Sequence, residues 1–376
     1  MYFYRMNPKL EELLSGPIMT VVLNLNDSNP NTWATYKDDA VGMTAGSNDW
    51  DEFFGHYPCI LENGVELGKL KRNNFGQYEN GNAAPITTLG KDVMICFPKR
   101  GIKIEYLDAN TLSVSMTSAK HKKGYSYMAH SYKGNAISNF YLGAYAGYQS
   151  GSNLYSTSGK SPSVNANIGN FRTYAQARGT GYEQSGFFQL TYRQVMYLLK
   201  YKGQNAQIAV GRGYVDGNGA AHATGGLNTN GMDWGETAGK TQMKLFGIED
   251  FYGNTWEFID GVWSNSNRQI YVADGNFNNS GTGYTDAGTQ SISSNLQGYL
   301  RYPNGSNLAG FINKSSTYGT NSTYFCDNTN LNSSCIACFG GVWNNGSESG
   351  VFRLNMSRGG SYSASSYGAR LMYLGG

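Results

Sequence analysis

The sequence predicts an α+β fold that is mostly irregular and β, with one clear helix. Three observations predict it. Fifty glycines and 29 tyrosines accompany only 15% charged residues. In such a mixture Gly and Asn take left-handed turns, while Tyr packs through its ring and hydrogen-bonds through its hydroxyl. Short apolar runs separated by turn signals recur through the first third of the chain, and one segment alone sustains a helical period. An aromatic content of 14% argues against disorder, because disordered chains are depleted in aromatic residues.

Taken in order, Ile18 to Leu25, Asp92 to Pro98, Ile102 to Tyr106 and Thr111 to Met116 read as strands. Pro98-Lys99-Arg100-Gly101 reads as a turn joining Val93-Phe97 to Ile102 in a hairpin, and the polar, glycine-rich stretch Asn73 to Ala84 as a surface loop. Strand alternation stops at the basic stretch Lys120 to Gly124. A boundary there divides the chain into a small β-rich unit, 1–124, suited to attachment or oligomerisation, and a larger unit, 125–376. In the latter, Phe140 to Tyr145 reads as a strand. Gly186 to Tyr201 reads as a helix, with Val195, Leu198 and Leu199 at amphipathic spacing, Thr191 as its cap and Gly203 as its stop. Trp256, Phe258 and Asp260 alternate with outward neighbours, as in a half-buried strand. From Val262 to Ser334, runs of Asn, Ser, Gly and Thr offer the backbone local hydrogen bonds. They read as ordered loops interrupted by Gln269 to Val272 and Gln297 to Tyr302.

Composition narrows the function. With 376 residues and a formal charge of only +3, and with Lys and Arg scattered, the basic stripe of a nucleic-acid binder is missing. The start, Met1-Tyr2-Phe3-Tyr4-Arg5 with Glu11 and Glu12 following, carries no apolar run of signal-peptide length, and no later stretch is long enough to cross a bilayer. A soluble chain without membrane insertion is expected, one that leaves a cell by lysis if it works outside. Five cysteines, Cys59, Cys96, Cys326, Cys335 and Cys338, do not require a disulfide framework. Packed free thiols are expected, a disulfide or a zinc site at Cys326, Cys335 and Cys338 being the alternatives.

No catalytic set stands out. His56, His121, His130 and His222 are isolated, and none has the H-E-x-x-H spacing. Gly211-Arg212-Gly213 lies outside any strand-loop-helix phosphate context. Asp233, Glu236, Glu249, Asp250, Glu257 and Asp260 offer material for a glycosidase pair or an oxygen-ligand calcium site. No segment repeats a calcium-loop spacing. The metal question stays open at this stage, with a structural calcium as the one cofactor admitted.

Gly247 to Phe258, with Gly253-Asn254-Thr255-Trp256-Glu257-Phe258 at its centre, resembles the G-N-x-W-E-W strand of the C-type-lectin-like fold in its formylglycine-generating-enzyme (sulfatase-modifying factor) branch. Gly340-Gly341-Val342-Trp343, closed by Gly368-Ala369-Arg370, is similar to the G-G-x-W … G-x-R frame of that branch. The string Arg358-Gly359-Gly360-Ser361-Tyr362 mimics the branch's R-G-G-S-W, but it stands too close to Gly368-Ala369-Arg370 to be the frame. The branch's enzymes use cysteines near the C-terminus, and this chain has none after Cys338, so their activity is not carried over. The resemblance is closer to phage and prophage receptor-binding tail adhesins whose lectin-like region is rewritten by a diversity-generating retroelement. It implies a ligand-binding C-type-lectin-like unit over 125–376 with a variable region at about 339–374.

Adenine-directed mutagenesis of AAY codons, which the resemblance implies, yields no Trp, Met, Lys, Gln or Glu. Between Asn344 and Tyr367 there is no Lys, Gln or Trp, which leaves Glu348 and Met356 as scaffold. The candidate ligand-binding residues are Asn344, Asn345, Ser347, Phe352, Arg353, Asn355, Ser357, Arg358, Ser361, Tyr362, Ser363, Ser365, Ser366 and Tyr367. Adaptable hydrogen-bonders punctuated by rigid Tyr and Arg form paratope-like surfaces. Trp343, Arg370, Trp256 and Glu257 are expected to be framework. The implied partners are a host cell-surface protein or glycan, other virion tail proteins, and further copies of the chain in a homotrimer, with no nucleic acid. The implied location is the virion tail or tail fibre, or the host cytoplasm before assembly from a prophage. The alternative is a structural virion or cell-surface module with a lectin-like fold and no diversified site.

Overall fold

A computed structural model describes residues 14–375; the opening run Met1 to Glu12 read above lies outside them. The architecture is mostly β, with irregular connections and mixed sheets. In the first sheet the strands lie in the order Ala34–Asp38, Ile18–Asn24, Thr111–Thr117, Gly101–Asp108. Alternation dictates its buried face, because successive side chains on a strand point to opposite sides. Met19, Val21 and Leu23 stand opposite Met116, Val114 and Leu112 and all turn inward.

The second sheet has seven strands, in the order Tyr182–Gln184, Leu371–Tyr373, Asn139–Gly143, Lys91–Pro98, Tyr57–Glu62, Val65–Lys71, Asn74–Tyr78. The expected hairpin across Pro98 to Gly101 does not form. Lys91–Pro98 is buried at all positions but its ends, so it needs neighbours on both edges and takes Tyr57–Glu62 and Asn139–Gly143. Gly101–Asp108, half exposed, goes to the edge of the other sheet beside Thr111–Thr117. Arg100 fixes the crossing by donating from Nε and Nη2 to the Phe53 carbonyl at 3.1 and 2.9 Å. The stretch read as a loop, Asn73 to Ala84, contains the edge strand Asn74–Tyr78, anchored by buried Phe75. Strands from both sides of residue 124 share this sheet, so the boundary expected there does not coincide with a break in it.

The helix runs over Phe187–Tyr201. Its cap is Gly186, with no side-chain hydrogen bond, and Thr191 lies buried inside the helix. Phe187 and Phe188 are already packed in the core, which starts the helix a turn before the Thr191 signal. It ends at Lys202, in the left-handed region at φ 49°. Fourteen of its fifteen residues are buried, so it is not an amphipathic surface helix. It is wedged against strands Ile18–Asn24 and Thr111–Thr117 on one side and Trp256–Ser264 on the other. Its charged residues survive burial by pairing. Lys200 Nζ lies 2.7 Å from Asp51 and 2.6 Å from Asp233, and Arg193 lies 3.7 Å from Glu257.

The third sheet carries the C-terminal segment. Its order is Thr285–Asp286, Ile270–Val272, Trp256–Ser264, Cys335–Phe339, Leu354–Arg358, Asn328–Leu331, Leu296–Tyr299, with Tyr367–Gly368 parallel to Trp256 and Glu257. Trp256–Ser264 is buried at every position except Trp263, so the expected half-buried alternation is absent. The strand is central and covered on both faces.

Candidate functional site

A buried frame comes first. Arg370, 2% exposed, donates from Nε to Glu257 Oε2 at 2.7 Å, from Nη1 to the Gly143 carbonyl, and from Nη2 to the carbonyls of Glu249 and Asp250. Burial alone would raise the Glu257 carboxyl, but Arg370 and Arg193 hold it below the usual range. Gly340 and Gly341 have φ of +90° and +87°, a conformation that suits glycine. A Cβ on Gly341 would run into the Ser349 side chain. Trp343 and Trp256 are buried.

The candidate residues divide into two groups. Phe352 is a core side chain, 1% exposed, with its ring centroid 4.8 Å from Phe325, 5.1 Å from Phe311 and 5.9 Å from Tyr197. Tyr367 and Asn355 are also buried; Tyr367 packs on Trp256 and Phe258, and Asn355 sits between Cys338 and Asn330 in the sheet. These three positions, and Arg353, which is also buried, were expected on the display surface. The cover comes from residues remote in sequence, which alternation within the segment does not reveal. Met356 is core as well. Arg353 is buried, donates to Glu348 Oε2 at 2.9 Å, and lies with Cζ 5.2 Å from the Trp256 ring centroid. Its Nε and Nη1 have no partner, and burial lowers its pKa.

The second group faces outward. Asn344, Ser361, Ser363 and Ser365 are exposed, while Asn345, Ser347, Ser357, Arg358, Tyr362 and Ser366 are half-buried. Residues 359–366 form a loop held through main-chain oxygens. The Gly360 carbonyl accepts from Asn279 Nδ2 at 3.2 Å, that of Ala364 from the Asn165 amide at 3.1 Å, and that of Ser366 from the Trp256 amide at 2.9 Å. Arg358 Cζ stands 4.4 Å from the Tyr362 ring centroid, and Tyr362 meets Tyr367 edge-on at 5.0 Å. Asn344, Asn345 and Ser347 belong to a separate turn around 346–348, where Asn321 Nδ2 donates to Ser347 Oγ at 3.5 Å. Sequence reasoning did not single out Asn279, Asn321 or Asn165 as neighbours of this surface. They are ordinary Asn residues in distant loops, and nothing in their local pattern marks them.

Grooves of about 710, 660 and 550 Å³ are lined by other segments. His56 and His130 are buried among aromatic rings, and burial lowers both to about 3. The carboxylates read as a possible pair serve as internal partners, except Glu236, which is exposed. Asp260 accepts from Arg172 and Gln184, Glu249 from the amides of Gly225 and Leu227, and Asp250 from Gln242 and Asn254. All five cysteines are buried free thiols. Among the described residues no group of three or more His, Cys, Asp or Glu side chains gathers as a metal ion would require, and no helix is long and apolar enough to cross a membrane.

No protein-family model matches the chain, and no curated protein does. Among solved structures it has a weak, partial likeness to Treponema denticola variable protein 1, at 11% identity and a TM-score of 0.35, over 77% of this chain and 98% of that one. The Major Tropism Determinant U1 variant is similar at 14% identity and a TM-score of 0.29, over 88% and 73% of the two chains. The M1 variant follows at 12% and 0.25, over 84% and 78%. Overlaps this partial leave the weight on the residues themselves.

Proposed function

We propose that the chain is a non-enzymatic receptor-binding adhesin of a phage or prophage tail, displaying a retroelement-diversified surface towards a host cell-surface protein or glycan. The observation that carries the reading is the loop 359–366, which turns Ser361, Ser363 and Ser365 to solvent beside Arg358 and Tyr362. It is bounded by the strand Leu354–Arg358, buried as far as Met356, and by the buried strand Tyr367–Gly368. Small hydrogen-bonders around a rigid aromatic and an arginine form an adaptable contact surface. The Gly340 carbonyl accepts from the Gly253 amide at 3.2 Å, the Trp343 amide donates to the Asn254 carbonyl at 3.3 Å and Arg370 pairs with Glu257, and this meeting of the motifs supports the C-type-lectin-like reading of residues 125–376. The display set is Asn344, Asn345, Ser347, Ser357, Arg358, Ser361, Tyr362, Ser363, Ser365 and Ser366; Phe352, Arg353, Asn355 and Tyr367 belong to the scaffold.

Two experiments test this. In the flanking DNA we expect a reverse-transcriptase gene and a near-copy of the segment encoding Phe339 to Leu374, differing where the copy has adenines. An intact locus lacking both removes diversification and leaves a fixed adhesin. The second uses the full chain on fluorescent beads, with Ser361, Ser363 and Ser365 all changed to Trp. The variant should melt at the wild-type temperature and lose attachment to cells of the bacterium carrying the gene. Undiminished attachment sinks the display reading.

A further inference from the structure

The display surface has an uncompensated cation fixed on an aromatic ladder. From the outside inward, the Arg358 guanidinium lies on Tyr362 at 4.4 Å, Tyr362 meets Tyr367 at 5.0 Å, Tyr367 stacks on Trp256 at 5.9 Å, and Arg353 Cζ lies 5.2 Å from the Trp256 centroid. Between Phe339 and Leu374 the sequence holds three arginines, Arg353, Arg358 and Arg370, and one carboxylate, Glu348. Glu348 is engaged by Arg353, and Arg370 takes Glu257 from outside the segment. Among the described residues Arg358 has no carboxylate partner, and its Nε is buried without any partner.

An arginine in this setting is ready to bind an anion. Stacking on a ring face holds the guanidinium plane in place and spares part of the ordering cost of association. Its fork matches a carboxylate through two parallel hydrogen bonds. The exposed serines beside it present hydroxyls, and no acidic side chain of the segment is free to compete. Small-ligand sites are concave, whereas the described grooves lie on other segments. An open Tyr, Ser and Arg surface suits a protein epitope.

We infer that this surface, in the adhesin role proposed above, takes an acidic protein epitope, with an Asp or Glu carboxylate of the partner seated on the Arg358 guanidinium above Tyr362. The test is a yeast-displayed library of random dodecapeptides sorted on the full chain. Selected peptides should carry Asp and Glu at about twice their frequency in the unsorted library or more. The Kd of the best of them should weaken about tenfold or more with Arg358→Gln and less with Arg358→Lys, melting temperature unchanged. Binders without acidic enrichment, or binding that Arg358→Gln leaves intact, overturn the inference. If such binders are still lost with Ser363→Trp, the display reading survives without it. Binders that neither variant affects overturn both, as does a sort that recovers none from a chain that also captures nothing on a glycan array. Capture of carboxylated glycans on an array, with no peptide recovered, replaces the protein epitope with a saccharide and refutes the partner class.

Discussion

Phe352→Ala separates the two descriptions of the C-terminal segment most sharply, because Phe352 lies only nine residues from exposed Ser361 and plays the opposite part. Its ring is 1% exposed and surrounded by Phe325, Phe311 and Tyr197. Truncation removes roughly 150 Å² of buried apolar area, which at about 25 cal/mol per Å² is worth about 4 kcal/mol. The walls of the resulting cavity are rings from the helix and from two separate loop segments, all buried, so collapse into it is limited. The amide of the same residue donates to buried Asp327 Oδ2 at 2.7 Å, which ties the backbone in place and further limits relaxation. We therefore expect a loss in the upper part of the usual Phe→Ala range, about 4–5 kcal/mol. Urea unfolding followed by tryptophan fluorescence measures it, with Ser363→Ala as the companion, expected within about 0.5 kcal/mol of wild type. A Phe352→Ala chain that loses less than about 1 kcal/mol while losing ligand binding would show that the ring belongs to the contact surface, and would refute its assignment to the scaffold.

Two further outcomes follow from the frame. Arg370→Met leaves Glu257 buried with only the more distant Arg193, and should cost about 3–5 kcal/mol in the same unfolding assay; a change below about 1 kcal/mol would remove Arg370 from the frame. Burial first, and then the neighbouring Glu249, raise the Asp250 carboxyl above its ordinary 3.8. A raised folded-state value gives stability that is complete below the unfolded value and is lost as pH rises through the folded one. The contribution of Asp250 to stability should therefore fall as pH climbs out of the carboxylate range towards neutrality. His56 and His130, lowered to about 3 by burial, add slopes of opposite sign between about 3 and their ordinary 6.5, and Lys244, pushed down to about 8 by burial, adds another between about 8 and its ordinary 10.5, so the measurement belongs between about pH 6.5 and 8. Asp250→Asn, permanently neutral and still able to accept from Asn254 and Gln242, should flatten much of that slope; an unchanged slope would place its origin elsewhere.

What the sequence makes legible is what local pattern controls. Runs such as Val93-Met94-Ile95-Cys96-Phe97 and the alternation of Met19, Val21 and Leu23 are strands wherever they are placed, and the helical period at Val195, Leu198 and Leu199 survives in the structure. Pairing is not a local property. Lys91–Pro98 and Gly101–Asp108 part company at Arg100 because one is buried at both edges and the other is not. The framework roles of Trp343 and Arg370 were readable because a large ring and a lone cation between strands demand partners. Phe352 and Tyr367 were misplaced for the converse reason. Their cover is supplied by Phe311, Phe325 and Trp256, brought over them by sheet order alone.

The same geometry explains how a surface can change its side chains without changing its fold. The contacts of loop 359–366 with Asn279, Asn165 and Trp256 are made by the main-chain oxygens of Gly360, Ala364 and Ser366. A carbonyl accepts the same hydrogen bond whatever side chain follows it, so these contacts are indifferent to the residues at Ser361, Ser363 and Ser365. Indifference has a limit inside the loop. A Cβ on Gly360 would press into the Asn279 side chain at 2.5 Å, whereas one on Gly359 would meet nothing within 4 Å. Exchange is therefore open at Gly359 and the three serines and closed at Gly360, and it is closed again where the chain returns to the sheet at Tyr367. Arg358 and Tyr362 stand between these regimes, since each touches the ladder yet remains partly exposed. In the proposed adhesin role, substitution there would alter recognition first and stability only through the few contacts made to Tyr367.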